Sequence, residues 1–246
     1  MIISSLENEK VKKYIKLSKK KYREEYGQFI VEGIHSVREA YKAGVLDEVL
    51  VRENNECEID CKTYYVTEEV MKKISSVDTP QTVMGVCHKK GDIDNDRICK
   101  RILILDRLQD PGNLGTIIRS ACAFGIDTIV LSENTVDVYN SKVLRATQGM
   151  IFHINIIQRN ILDFIDYLKD NEYNVYGTNV VNGEDVRNLD SNMKDKFALI
   201  VGNEGSGVRE EVSLKTTKNL YIKMNEGVES LNVAIATSIL LYELGR

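Results

Sequence analysis

The stretch Arg101-Ile102-Leu103-Ile104-Leu105-Asp106 decides the fold class of this chain of 246 residues. A continuous apolar run without polar alternation is typical of a strand that is covered on both faces in a parallel sheet. The turn-forming segment Leu108–Asn113 follows, and the residues from Leu114 to Phe124 predict a helix that Gly125 stops. A strand, a loop and a helix in this order indicate an α/β protein.

The same alternation continues to the end of the chain. Further strands are predicted at Thr128–Leu131, Ile154–Ile157, Asn174–Gly177, Phe197–Val201 and Leu220–Ile222. Further helices are predicted at Lys142–Gln148, Ile161–Asn171 and Ser230–Leu244. Residues 98–246 are therefore expected to form one α/β domain with a mostly parallel sheet, in which ligands bind at the carboxyl ends of the strands.

A smaller α/β domain is predicted at residues 1–95, because the polar, turn-rich segment Lys89–Arg97 is the best linker in the chain. Its strands are predicted at Phe29–Glu32, Val45–Val51, Lys62–Val66 and Thr82–Cys87. Its helices are predicted at His35–Ala43, where Gly44 is the expected C-cap, and at Glu68–Ile74.

The first domain begins with a dense basic segment. Lys10–Arg23 contains eight basic residues and no acidic one, so the rest of the chain carries a charge of −12 within a net charge of −4. Nucleic-acid phosphate is an obvious partner for such a segment, and Tyr14 and Tyr22 are placed to stack on bases. The alternative is a solvated, lysine-rich helix face.

Composition argues against membrane, secreted and metal-dependent classes. No apolar run reaches the roughly 18 residues that span a bilayer, and the first residues lack the layout of a signal peptide. The five cysteines and three histidines are scattered, which favours reduced thiols over disulfides or a structural metal. We therefore expect a soluble, cytoplasmic protein without a metal.

Three loops stand out by composition: Asp110–Gly115, Gly202–Gly207 and Met224–Asn232. The glycines at 202, 205 and 207 allow a ligand to approach the backbone closely, although a tight turn without a ligand would need the same residues. Their order is not the G-x-G-x-x-G of a dinucleotide-binding fold, and no Walker A motif is present. An NAD-dependent enzyme is therefore disfavoured.

Together, the three loops resemble the motifs of the SpoU/TrmH family of RNA 2′-O-ribose methyltransferases, in the SPOUT superfamily. The motifs correspond here to Leu105–Ser120, to Gly202–Gly207, and to Ile222–Met224 with Val228–Ala234, and Tyr139–Ala146 resembles the connecting segment. The resemblance covers residues 98–246 densely. More loosely, Phe29–Gly44 resembles the N-terminal RNA-recognition domain of the longer members, which is similar to the ribosomal protein L30e fold.

The resemblance implies a SPOUT-like parallel sheet with helices on both faces and a deep trefoil knot, preceded by a small L30e-like α/β domain. It implies S-adenosylmethionine as cofactor, with contacts at Gly202, Ile222, Leu231, Met224 and Ser230. It also implies a homodimer with the site near the subunit interface. Lys223 stands where many members have proline, which implies only a change in the stiffness of the loop.

The family attributes proton removal from the ribose hydroxyl to the arginine of the first motif, here Arg119. Free arginine has a pKa above about 12, so positioning the phosphate and the 2′-oxygen is a second possible role. Asn113, Glu204 and Asn232 are expected to orient Arg119 and the ribose, although each is also a common helix-capping or helix-entry residue.

We expect a methyltransferase that acts on 23S ribosomal RNA. A transfer-RNA substrate and a non-catalytic RNA-binding dimer are the alternatives. The two-domain layout favours ribosomal over transfer RNA, and the intact glycine loop and Arg119 favour an enzyme.

Overall fold

The computed structural model describes residues 2–179, 183–228 and 230–245. In chain order, the strands are β1 (Ile2–Ile3), β2 (Gln28–Glu32), β3 (Leu46–Arg52), β4 (Thr63–Val66), β5 (Val83–His88), β6 (Arg101–Leu105), β7 (Thr128–Leu131), β8 (Asn155–Gln158), β9 (Asn174–Thr178), β10 (Glu184–Asp185), β11 (Phe197–Val201) and β12 (Lys218–Tyr221). The helices are α1 (Glu9–Lys16), α2 (Lys20–Tyr26), α3 (Ile34–Lys42), α4 (Glu68–Ile74), α5 (Pro111–Ala123), α6 (Ser141–Thr147), α7 (Ile161–Asp170), α8 (Glu210–Ser213) and α9 (Val233–Leu244).

The chain divides into two units that are not the two continuous segments expected from the sequence. Met1–Gly91 and Asp137–His153 form the first unit, and Asp92–Val136 and Ile154–Arg246 form the second. The prediction that placed Asp137–His153 in the second domain is wrong, because this segment belongs to the first unit. The segment belongs to the first unit because Tyr139 packs on Phe29, with ring centroids 4.6 Å apart, and because Asp137 pairs with the buried Arg23.

The first unit is built on a mixed sheet in the order β1-β4-β3-β5-β2. The strand β5 pairs antiparallel with β2 and β3, whereas β4 pairs parallel with β1 and β3. The helices α1 and α4 bury Val11, Tyr14, Val70 and Met71 in one core with residues of the sheet. This arrangement confirms the small α/β domain.

The basic segment Lys10–Arg23 folds into α1 and α2 rather than one helix face. Tyr14 is only 1% exposed, and its hydroxyl donates to Glu48, so the prediction that Tyr14 stacks on bases was wrong. Arg23 is 6% exposed and donates to the carbonyl of Leu17. Arg23 therefore adds no exposed charge to the surface.

The second unit is built on a parallel sheet in the order β10-β12-β9-β11-β6-β7-β8. Side chains alternate between its faces, so Ile102 and Ile104 pack in one core with residues of α7, while Leu103 points to the opposite face. Leu103 is also fully buried. Both faces of the central strands are thus covered, which confirms the expected parallel α/β sheet; the trefoil knot stays a prediction.

The last helix begins three residues later than expected. Asn232 is the N-cap of α9, and its Oδ1 accepts hydrogen bonds from the backbone of Ala234 and Ile235. Ser230 and Leu231 therefore lie in the preceding loop. Over the described ranges, no helix is long and apolar enough to cross a membrane.

Candidate active site

The three loops singled out in the sequence all leave carboxyl ends of strands in one parallel sheet. The first loop connects β6 to α5, the second follows β11, and the third connects β12 to α9. The strands β6 and β11 are direct neighbours, and only β9 separates β11 from β12. Parallel strands end at the same edge, so this topology gathers the three loops in one place.

The glycine loop closes on itself through two backbone hydrogen bonds. The amide of Asn203 donates to the carbonyl of Gly207 at 3.0 Å, and the amide of Gly207 donates back at 2.9 Å. The Oδ1 of Asn203 accepts from the amides of Gly205 and Ser206, which fixes the turn between them. Gly207 has a φ of +67°, in the left-handed region that favours glycine.

Gly202 is required by the protein's own backbone. A Cβ at Gly202 would lie 2.0 Å from the carbonyl carbon of Gly207 and 2.1 Å from the amide nitrogen of Val208. From the sequence, this glycine was expected to allow close approach of a ligand or to form a tight turn. The structure shows that a Cβ at Gly202 would first collide with the backbone of Gly207 and Val208, at the end of the same loop. Glycine at position 202 is therefore needed for the shape of the loop itself.

Glu204 ties the glycine loop to the first motif. Its carboxylate accepts hydrogen bonds from the amides of Asp110 and Gln109, at 2.9 and 3.2 Å, and from the side chain of Asn113 at 3.2 Å. Partial burial works to raise the pKa of Glu204, but these donors outweigh it and lower the pKa below its ordinary value. The carboxylate is therefore ionised at neutral pH.

Asn113 and Asn232 continue the same network. The Nδ2 of Asn232 donates to the Oδ1 of Asn113 at 3.0 Å, and the Nδ2 of Asn113 donates to Glu204. The structure thus joins Glu204, Asn113 and Asn232, which were predicted as partners, in one hydrogen-bonded row. Asn232 also has the simpler structural role considered above, since it caps α9. Asn113 does not, because α5 begins at Pro111 and Asp110 is its N-cap.

Two residues that support the site were missed by the sequence reasoning. Asp106, at the end of β6, is fully buried, and its two oxygens accept from the Nε of Arg209 at 2.9 and 3.1 Å. This pair joins the first motif to the segment after the glycine loop. The signal was present in the sequence, because an aspartate directly after a buried strand needs a buried partner.

A cavity of about 370 Å³ lies between the glycine loop, the end of β12 and the start of α9. All five residues predicted to contact a cofactor line it: Gly202, Ile222, Met224, Ser230 and Leu231. Its volume falls in the range of small-ligand pockets. Glu204 is the one charged residue among its described lining residues, and its carboxylate is hydrogen-bonded to the first motif.

Arg119 is not part of this network. It is exposed on α5, and within the described ranges its guanidinium contacts none of Asn113, Glu204 and Asn232. Arg119 is six positions after Asn113, so the two side chains leave the helix about 120° apart. The role of Asn113, Glu204 and Asn232 in orienting Arg119 and the ribose stays a prediction. Glu229, in the third motif, lies outside the described residues.

No cluster of His, Cys, Asp or Glu that could hold a metal ion occurs in the part of the chain that the structure describes.

Comparison with known proteins identifies the family. Residues 100–242 match the SpoU rRNA Methylase family, and residues 8–85 match the MRM3-like substrate binding domain. The chain is 40% identical to the 23S rRNA (guanosine(2553)-2′-O)-methyltransferase RlmP of Bacillus subtilis, with 98% of both proteins covered.

Solved structures agree over nearly the whole chain. The AdoMet-bound rRNA methyltransferase from Sinorhizobium meliloti superposes with a TM-score of 0.88 at 31% identity, covering 99% of this chain and 97% of that one. A putative RNA methyltransferase of the TrmH family from Porphyromonas gingivalis gives a TM-score of 0.87 at 31% identity, with 98% of each chain covered. The resemblance seen in the motifs is confirmed, and the chain belongs to the SpoU rRNA methylase family.

Proposed function

We propose that this chain transfers a methyl group from S-adenosylmethionine to a ribose 2′-hydroxyl of 23S ribosomal RNA. The observation that carries the proposal is a cavity at the edge of the parallel sheet that the second and third family motifs line, with the first motif hydrogen-bonded to both of them through Glu204 and Asn232. The name of the Bacillus subtilis relative, which is similar over 98% of both chains, supports 23S RNA as the substrate. With ribosomal RNA as its substrate, the enzyme is expected in the cytoplasm.

The cavity suits S-adenosylmethionine. Its walls combine apolar side chains, such as Ile222 and Leu231, with the backbone of the Gly202–Gly207 loop, and both features suit an adenosyl group. When bound, S-adenosylmethionine supplies a methyl group already activated by its sulfonium. The chain must then position the acceptor oxygen and allow its proton to leave.

The row Glu204–Asn113–Asn232 holds the loops that frame the cavity in one geometry. Because Glu204 is ionised and accepts from two backbone amides, it fixes the first turn of α5 against the glycine loop. Methyl transfer needs the acceptor oxygen in line with the methyl group. A small displacement of the groups that hold this oxygen therefore lowers the rate of transfer strongly. We infer that the row acts by positioning, through the loops it joins.

Arg119 is the group we propose for the acceptor ribose and its phosphate. Its N–H groups can hold a phosphate oxygen and stabilise negative charge that develops on the 2′-oxygen. Because Arg119 stands outside the cavity of its own chain, we propose that the working site is completed by a second copy of the chain. The proton of the 2′-hydroxyl then passes to solvent water, while the guanidinium of that copy stabilises the negative charge that develops on the oxygen.

The last helix offers a surface for such a dimer. Ile235 and Tyr242 are 54 and 49% exposed and lie on the same side of α9, about two turns apart, and Leu231, which is 37% exposed, lies in the loop just before this helix. This side adjoins α5, since the Oγ of Ser238 donates to the Oγ of Ser120, the neighbour of Arg119. Exposed apolar side chains in a row are typical of an interface between protein chains. A homodimer over this surface would bring each Arg119 toward the partner's cavity.

The test of the function is methylation of RNA extracted from cells that lack the gene. Purified protein and S-adenosylmethionine are added, and 2′-O-methyl groups are mapped by mass spectrometry in 23S and transfer RNA. We expect one new 2′-O-methyl ribose in 23S RNA, with the guanosine in the relative's name as the first position to inspect. Methylation of transfer RNA alone would overturn the substrate, and binding of S-adenosylmethionine without methylation of any RNA would overturn the activity.

A further inference from the structure

Two tyrosines on α2 form an aromatic pair at the surface of the first unit. The rings of Tyr22 and Tyr26, one helical turn apart, are stacked with centroids 6.1 Å apart and planes inclined by 15°. Both side chains are only half-buried. Tyr26 packs with one side against the hydrophobic core of the first unit, whereas Tyr22 is not part of that core. The Tyr22 ring, held by Tyr26, therefore presents a flat aromatic surface to a ligand.

Three lysines lie over these rings. The Nζ of Lys13 is 5.4 Å from the centroid of Tyr26, and those of Lys16 and Lys21 are 5.5 and 5.7 Å from the centroid of Tyr22. Distances below about 6 Å are those of cation–π contacts. We call Lys13, Lys16, Lys21, Tyr22 and Tyr26 together the tyrosine–lysine surface.

The lysines of this surface lack the counter-ions that other lysines of the same segment have. Lys10 pairs with Glu48, Lys12 with Glu7 and Glu9, and Lys20 with Glu24, whereas Lys13, Lys16 and Lys21 form no ion pair with any described residue. Because these three ammonium groups have no carboxylate of the described residues in ion-pair contact, they leave a local excess of positive charge. Such an excess favours a ligand with several negative charges in a row.

We propose that the tyrosine–lysine surface binds an unpaired stretch of the RNA substrate, with the lysines on phosphates and the tyrosines stacked on bases. The proposal rests on the proposed function, because it names the part of the first unit that holds the substrate. Stacking needs a base whose face is open, which a base inside a duplex does not offer. The lysine ammonium groups cover the ring faces in the free protein and would move to the phosphates as bases take their place.

The lysine arm of the test measures how binding depends on salt. The probe is a fluorescent 12-nucleotide RNA of mixed, unpaired sequence, titrated with the full chain at several salt concentrations. Lys13→Gln with Lys16→Gln should lower the salt slope by about 1.4, at roughly 0.7 for each single-strand phosphate contact. The matched control, Lys12→Gln with Lys72→Gln, removes the same charge from lysines that pair with carboxylates and should leave the slope near the wild-type value.

The tyrosine arm separates stacking from charge. Tyr22→Leu should weaken binding of the unpaired probe by about 5- to 150-fold, the effect of one base–aromatic stack, without changing the salt slope. Tyr22→Phe keeps the ring and should bind like the wild type. Tyr41→Leu removes a tyrosine that is 45% exposed on α3, outside the surface, and is the control for loss of an aromatic side chain.

A duplex of the same 12 nucleotides decides whether the RNA must be unpaired. A purely electrostatic patch would prefer the duplex, because its charge density is higher, whereas the tyrosine–lysine surface should prefer the single strand. Circular dichroism checks that each variant is folded. Equal effects of the lysine and control pairs, or a preference for the duplex, would overturn the proposal. Methylation of 23S RNA by the wild-type chain is measured alongside, so that failure of this site and failure of the proposed function are told apart.

Discussion

Asn232 donates a hydrogen bond to Asn113 at 3.0 Å, and this contact joins the N-cap of the last helix to the first turn of α5. The direction of the bond is set by the chain. The Oδ1 of Asn232 is taken by the amides of Ala234 and Ile235, so only its NH₂ faces Asn113. Asn113 must then present its oxygen to Asn232 and its NH₂ to Glu204. One capping residue thereby orients a row that crosses all three motifs.

Replacing Asn232 with aspartate should separate its two roles. The introduced aspartate would cap α9 as well as asparagine does, because its carboxylate accepts the same two amide hydrogen bonds. It could not donate to Asn113, however, so the row would lose its fixed orientation. We expect Asn232→Asp to leave thermal stability near wild type while turnover falls by roughly 10–100-fold, as for a displaced positioning group.

Asn232→Ala is the comparison for this prediction. It should lose turnover to a similar extent and also lose about 1 kcal/mol of stability with the cap. Single-turnover methylation and thermal unfolding distinguish the variants. Wild-type turnover in Asn232→Asp would mean that Asn232 serves only as a cap.

Gly202→Ala should abolish binding of S-adenosylmethionine by reshaping the glycine loop. A single added carbon would lie 2.0–2.2 Å from backbone atoms of Gly207 and Val208, a distance that requires the loop to open. Gly205→Ala is the matched control, because a Cβ at Gly205 meets only the side chain of Asn203, at 3.7 Å, in ordinary contact. Calorimetric titration with S-adenosylmethionine compares the two. Tight binding by Gly202→Ala, or equal loss in Gly205→Ala, would contradict the assignment.

The sheet of the second unit was predictable because its strands are continuous apolar runs between turns. The bounds of β7 and β11 coincide with the prediction, and β6 differs only in leaving out Asp106. In contrast, β10 consists of Glu184 and Asp185, too short and too polar to show a strand pattern. It exists because it pairs with β12, a long-range contact that local sequence does not contain.

The cavity residues were predicted from the resemblance to the family's motifs, and the loops that carry these residues follow strands of one parallel sheet. The pairing of individual charges could not be predicted from the sequence. Lys10–Arg23 is a uniform basic run in sequence, yet Arg23 is buried against Asp137, which is 114 residues away. Asn113 and Arg119 are close in sequence, yet their side chains leave α5 about 120° apart. Partners chosen by tertiary packing are the part that a single sequence does not disclose.

The lowered pKa of Glu204 predicts that the protein loses stability in acid. A carboxyl whose pKa is lower in the folded than in the unfolded chain stabilises the fold above its ordinary pKa, here 4.5, and loses that contribution as the pH falls. We expect the free energy of unfolding in urea to decline below about pH 4.5, and to decline less steeply in Glu204→Gln.

The same variant tests whether Glu204 takes part in the pH dependence of turnover. Because its pKa is lowered, Glu204 stays ionised at neutral and alkaline pH, so an ascending limb of the rate in that range must come from another group. Glu204→Gln should keep that limb at reduced height. If the limb disappears in Glu204→Gln, the carboxylate titrates in the working range and the pKa assignment is wrong.

Arg119 provides the last prediction. If it holds the phosphate and the 2′-oxygen, Arg119→Ala should reduce turnover by roughly 10²–10⁴-fold, as for loss of one preorganised catalytic group. Arg119→Lys should recover little, because lysine lacks the planar fork of arginine. Affinity for S-adenosylmethionine should hardly change, since Arg119 does not line the cavity. Turnover near wild type in Arg119→Ala, measured in a single turnover, would remove Arg119 from the mechanism.

Hybrid dimers decide whether Arg119 acts across the proposed interface. Arg119→Ala chains and Gly202→Ala chains are co-expressed with different tags, and dimers that carry both are purified. Each parent is expected to be inactive. If Arg119 serves the partner's cavity, the hybrid contains one complete site, formed by the cavity of the Arg119→Ala chain and the arginine of the other. If Arg119 serves its own cavity, neither site is complete and the hybrid is inactive.

Should Gly202→Ala fail to fold, Ala236→Phe is the alternative, because Ala236 lines the cavity and a phenyl ring would fill it. Turnover by the hybrid above that of both parents therefore supports a site shared between two copies, and an inactive hybrid contradicts it.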